Sequence, residues 1–159
     1  MSRNIMAVLP TDLVDFIQSG VSIIVAVVGA DGRAQTGRAL AARVVAPDSI
    51  RLLYPAEGNA ALGASAQAKG RIAVTFSAPL SHRTIQIKGV CGTAVVAAED
   101  CDAAARQSAA FGGVLSGLGY TPAFVSAICA YRSSDMRALV FSIEAAFEQT
   151  PGPGAGRAL

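Results

Sequence analysis

Apolar and polar residues alternate most cleanly in two parts of the chain. Between Arg71 and Gly89, Ile72, Val74 and Phe76 mark one strand and Ile85 and Ile87 a second, joined by a short connector. Near the end, Leu139, Phe141, Ile143, Ala145 and Phe147 alternate with Val140, Ser142, Glu144 and Glu148. A period of two puts one face of each strand on a core and leaves the other free for chemistry. The strand after Arg83 is expected to run to about Ala97, with Gly89 and Gly92 marking a bulge or bend. Val21 to Gly29 is apolar on both faces, which predicts an interior strand, and Asp31-Gly32 is a hairpin signal. Arg33 to Val45 reads as one long second strand, Pro47-Asp48-Ser49 as a turn, and Ile50 to Tyr54 as a third strand.

Four stretches carry helical signals. Pro10-Thr11 opens a short helix through about Ser19, with Thr11 as its cap and Gly20 as its stop. An Ala-rich segment from Gly58 to Ala68 predicts a helix crossing the sheet, and another runs from Glu99 to Phe111, ending near Gly112-Gly113. Thr121-Pro122 starts the last, through Tyr131, with proline at the first helical position. Gln149 to Leu159 is rich in Pro and Gly and reads as an exposed loop. The expected architecture is one mainly β (α+β) domain over residues 1–148, a six-stranded barrel with short helices, followed by a tail at 149–159.

Composition narrows the function. With 159 residues, 52% apolar and 15% charged, the chain is long and apolar enough to bury a core. Its net charge is +2 and its basic residues are scattered, so no nucleic-acid-binding face is expected. Eleven of the 13 basic residues are Arg, which suits forked anion contacts and equally suits a GC-rich genome. The longest apolar run, Val21 to Ala30, is too short to span a membrane, and Met1 to Asp12 lacks a signal peptide's apolar stretch. A soluble, cytoplasmic protein is expected. Cys91, Cys101 and Cys129 are an odd, dispersed set, and one histidine cannot complete a zinc site, so neither disulfides nor a metal is predicted.

No Ser/His/Asp set and no carboxylate pair at catalytic spacing is present. Polar side chains gather instead along one strand face: His82, Thr84, Gln86 and Lys88, beside Arg83. Arg38 and Arg43, five apart, fall on opposite faces of a regular strand and can meet one ligand only if a bulge intervenes. Cofactor contact and ordinary ion pairing are both open readings for the two.

The order of these elements resembles the FMN-binding split barrels, the superfamily of pyridoxamine 5′-phosphate oxidase and its relatives, over roughly Leu9 to Ala97 and the final strand. The landmarks are the leading helix and apolar strand turning at Asp31-Gly32, Arg38-x4-Arg43, the Arg71-Ile72 strand, and Arg83-Thr84-Ile85-Gln86-Ile87-Lys88-Gly89. That last run is similar to the oxidases' Arg-Gln-Val-x-Val-x-Gly, and the tail QTPGPGAG resembles endings in the group. The resemblance implies a homodimer with FMN in a groove between subunits. By position, Arg38 and Arg43 would approach the phosphate or ring edge, Tyr54 and Asn59 would line the groove, and Arg83 and Thr84 would sit at its rim.

Two departures bear on chemistry. Where the oxidases carry a Ser-Arg-Lys phosphate clamp, this chain has Gly58-Asn59-Ala60, and it has no Trp for the oxidases' substrate segment. Each lost cation removes a charge-assisted bond of about 1.5–3 kcal/mol. Two functions stay open: an FMN-dependent oxidoreductase with an unknown small substrate, and a non-catalytic carrier of a deazaflavin, haem or other small ligand. A third, a barrel whose groove its own side chains fill, would act as a dimeric scaffold. His82 is the one side chain that could ligate haem iron; a solvated loop is its plainer role.

Overall fold

A computed structural model describes residues 9–68 and 70–159. The start of the chain, where a signal peptide was considered, lies outside them. Seven antiparallel strands form one sheet: β1 (Ser22–Val28), β2 (Ala34–Ala39), β3 (Ala41–Ala46), β4 (Ser49–Pro55), β5 (Arg71–Ser77), β6 (Thr84–Ala94) and β7 (Met136–Glu148). Their order across the sheet is β2-β1-β5-β6-β7-β4-β3. Neighbours in sequence, β2 and β3 thus occupy opposite edges. Only Leu40 separates them, so the sheet must curl until its edges meet.

The expected six strands are therefore seven. The single long strand from Arg33 to Val45 is broken at Leu40, whose N–H bonds to Leu53 O at 2.6 Å. β2 pairs with β1 and β3 with β4. The break also changes phase: Ala39 and Ala42 pack in the barrel core, while Ala41 packs outward with Leu53 under a helix. Small residues with weak alternation carry no signal for such a corner, which explains why the sequence reads as continuous.

Strand alternation follows expectation in β5 and β6, whereas β1 leaves its second apolar face, Ile24 and Val28, exposed. In β7 the extra residue Glu144 flips the phase, so that Ala146 enters the core and Phe147 turns outward beneath Lys88. Ile23, Val25, Val27, Ile72, Val74, Phe76, Ile85 and Ile87 all turn inward and are buried. The bulge predicted at Gly89 is present as a register shift between Lys88 and Gly89 opposite β7. A side chain at Gly89 would collide with the Ser142 carbonyl, so the close approach needs glycine. β7 begins at Met136, three residues before the clean alternation from Leu139.

Helix α1 (Thr11–Ile17) seats Leu13 and Ile17 on the core. Pro10, not Thr11, is its cap position and no side chain caps it. Gly20 lies past its end, where an added Cβ would stand 2.7 Å from the Ala110 backbone; its role is close packing, not helix termination. Helix α2 (Ala60–Gln67) covers the barrel beside β1, β2 and β6. Helix α3 (Ala98–Gly117) runs through Gly112-Gly113, the expected stop. There Gly112 faces Val125 and Cys129 of helix α4 (Pro122–Cys129). Thr121 caps α4 as predicted, its hydroxyl accepting from Phe124 N at 3.3 Å. The tail turns back on β7: Glu148 N donates to Arg157 O at 2.9 Å and Leu159 N to Ala146 O at 2.9 Å.

Helix α3 is fastened to the β3 edge by buried polar groups. Gln107 accepts from Ala42 N at 3.0 Å and donates to Ala42 O at 2.8 Å. Asp100, fully buried, binds Arg43 at 2.6 Å, takes a fork from Arg51, and accepts from Ala97 N at 2.9 Å. Burial alone would raise its pKa, but the hydrogen bonds from Arg51, Ala97 and Arg43 hold it down at about 2.

Candidate functional site

The mouth of the barrel beneath α2 forms a groove of about 320 Å³, lined by Tyr54, Asn59, Gly63, Gln67, Thr93 and Arg137, with small alanines between them. Three elements build it. Tyr54 and Arg137 are register partners on β4 and β7 and share the phase of the core-facing Leu52 and Leu139. Where the strands leave the core, that inward face becomes the groove wall. Helix α2 supplies the opposite wall, and Gly63 leaves room for the Tyr54 ring: a Cβ there would stand 3.0 Å from the phenol oxygen.

Tyr54 is 3% exposed, and burial raises its pKa, so its hydroxyl stays protonated. Asn59 spends its amide N–H groups on Pro55 O at 2.8 Å and Glu57 O at 3.3 Å. Gly37 on β2 has no Cβ because Asn59 Oδ1 occupies that space. Arg137 is exposed and reaches only carbonyls, Met136 O at 3.0 Å and Ser134 O at 3.4 Å. Its guanidinium has no carboxylate partner among the described residues.

Of the six residues expected at a cofactor, Tyr54 and Asn59 meet in this groove. Asn59 also borders a second, smaller cavity that holds Arg38. The break at Leu40 supplies the irregularity that Arg38 and Arg43 needed, and both turn towards α3. They still separate along it: Arg43 meets Asp100, while the Arg38 guanidinium lies over the Phe111 ring at 5.0 Å, eleven helical residues, about 16 Å, further on. Arg83 and Thr84 sit elsewhere. The Arg83 guanidinium stacks over Phe16 at 4.5 Å and pairs with Asp12 at 3.3 Å, and Thr84 N donates to Thr150 Oγ1 at 3.0 Å. His82, the haem-ligand candidate, is exposed in the β5–β6 turn with φ of 59°.

Arg137, Gln67 and Thr93 were not anticipated. Arg137 had a signal: two residues before Leu139, it places a cation in the core-facing phase of β7. Reading it required the strand to start at Met136. Gln67 and Thr93 are ordinary surface residues until α2 and the end of β6 come together.

No protein-family model matches the sequence, and no curated protein matches it. The likeness is structural. HupZ of Group A Streptococcus superposes with a TM-score of 0.56 at 16% identity, covering 93% of this chain and 99% of its own. A candidate pyridoxamine 5′-phosphate oxidase from Lactobacillus delbrueckii gives 0.55 at 15%, covering 92% and 99%. An F420 reductase gives 0.53 at 14%, covering 87% and 98%. The fold is the split barrel of the pyridoxamine 5′-phosphate oxidase-related proteins. In this split barrel the helical pair α3–α4 lies over β3 and over Arg38. No helix among the described residues is long and apolar enough to cross a membrane.

Proposed function

We propose that the protein is a flavin-binding, oxidoreductase-type split barrel that holds FMN or a deazaflavin in the Tyr54–Asn59–Arg137 groove. The observation that carries this reading is the unpaired Arg137 beside a protonated Tyr54 and the N-terminal turn of α2, in a groove of about 320 Å³. A flavin needs an apolar slot, a few placed donors and cations for its phosphate. The residues present fit that list. Arg137 would pair with the phosphate, assisted by the positive end of α2; Tyr54 would donate a hydrogen bond; the alanines and Gly63 would accept the flat ring. When bound, the flavin supplies hydride acceptance and return, and the protein's part is to hold it and keep its surroundings apolar.

The count of cations favours the deazaflavin within this reading. The groove offers one arginine, Arg137 on β7, and the segment where the oxidases use a Ser-Arg-Lys clamp, Gly58-Asn59-Ala60, adds no cation. A deazaflavin joined through a phosphodiester presents one charge there, whereas FMN presents two. The F420 reductase among the structural neighbours supports the same choice. We further propose a cytoplasmic homodimer that brings a second subunit to the groove. Exposed Ile24 and Val28 on the outer sheet face support the dimer, and three free cysteines suit a reducing compartment.

The test is an absorption spectrum after incubation with FMN, or with F420, followed by desalting. A retained chromophore, lost in Arg137→Gln, supports the reading, and reduction by a nicotinamide donor assigns turnover. Retention without reduction identifies a carrier. A protein that keeps neither cofactor is not a flavoprotein.

A further inference from the structure

The second cavity, of about 80 Å³, lies between the end of β2, the β4–α2 connection, α3 and α4. Arg38 enters it with no hydrogen bond and no ion pair among the described residues, and its Nε is buried without a partner. Residues 1–8 contain no Asp or Glu, so that segment cannot supply a carboxylate side chain either. Burial makes the charged guanidinium costly enough to lower its pKa. The side chain as a whole is half-buried, but an orphaned buried donor such as its Nε calls for an explanation.

The rest of the lining says what the partner would be. Phe111 covers the guanidinium face at 5.0 Å, which leaves the N–H donors at its edge as the groups an anion would meet. The Ser108 hydroxyl is a second donor, Val21, Leu40 and Ile128 are apolar, and no acid lines the space. One planar cation matches one planar monoanion; a phosphate dianion would need a second cation. The volume is about half that of the roughly 150 Å³ apolar cavity that takes benzene, so it suits a handful of heavy atoms. We infer that this pocket binds a short-chain monocarboxylate, its carboxylate forked on Arg38 and its alkyl end against Ile128 and Leu40. The inference is independent of the cofactor reading, since the pocket touches the groove only through Asn59.

Cys129 lies on the pocket wall and is half-buried, so its reactivity reports occupancy. The experiment follows alkylation of the protein by iodoacetamide, with peptide mapping to separate Cys129 from Cys91 and Cys101. Propionate is compared with propionamide, with chloride at equal ionic strength, with inorganic phosphate and with FMN. Slower labelling of Cys129, but not of Cys101, by propionate alone is the expected result. The apparent affinity should fall about ten-fold or more in Arg38→Met. Arg38→Lys, which keeps the charge and loses the fork, should give an intermediate value and serves if the Met variant does not fold. Equal protection by propionamide, protection surviving in both variants, or no protection overturns the inference. Protection by phosphate or FMN without propionate also overturns it, and assigns Arg38 to a cofactor's phosphate. Failure of the pocket leaves the flavin spectrum untouched, and failure to hold a flavin leaves propionate protection untouched.

Discussion

Arg38 and Arg43 flank the same one-residue corner and face the same helix, yet their surroundings are opposite. Arg43 shares the buried Asp100 with Arg51, and the three charged groups are hydrogen-bonded into the α3–β3 junction. Arg38 has an aromatic face, a small cavity and no anion. Charges hydrogen-bonded to one another around a buried carboxylate are part of the scaffold. A half-buried charge with a buried donor left over marks a place where something else can bind.

The sharpest way to break this contrast is to remove the shared anion. Asp100→Ala leaves two arginines facing one another and should cost about 3–5 kcal/mol, read as a fall in the denaturant midpoint. Little loss would mean that the Arg43 cluster is surface decoration and the contrast false. Next is Gln107→Ala, which strips both bonds from the buried Ala42 backbone and should cost about 3 kcal/mol by the same measurement. Acid probes the cluster without mutation. The Asp100 carboxyl titrates at about 2 in the folded protein against an ordinary 3.8. A lowered folded pKa stabilises above the unfolded value, so about 2 kcal/mol is present above pH 4 and disappears as pH falls through 3.8 towards 2. Unfolding curves across that window should lose this increment, and the Asp100→Ala variant should not show it. The smallest effect belongs to the other arginine. Arg38→Met removes an unpaired, partly buried cation and should leave stability within about 1 kcal/mol of the parent, or raise it.

Much of this was legible before any coordinates. Alternation located β1, β5, β6 and β7, Gly89 located the bulge, and the Thr121-Pro122 pair located the α4 cap. Each is a local signal, carried by side chains that act within one strand or turn. Tyr54 and Asn59, expected at one groove through the order of elements shared with split barrels, line the same cavity. Arg137 was overlooked because its role depends on the residue across from it: Tyr54 stands opposite only in the β4–β7 register. Gly20 and Gly112 were read as helix stops, since a local pattern cannot distinguish a glycine that ends a helix from one that lets two elements touch.

The sequence by itself determined where most of the strands lie, that the fold is mainly β, and two of the polar residues, Tyr54 and Asn59, that line the groove. Periodicity and turn chemistry are short-range, and they survive without knowledge of partners. Only the tertiary structure decided how those arginines divide. Whether a guanidinium is anchored or free depends on groups up to 57 residues away, as Asp100 is from Arg43, and on whether burial has stripped its water. Charge pairing is settled by distance in space, and nothing in the spacing of Arg38 and Arg43 records it.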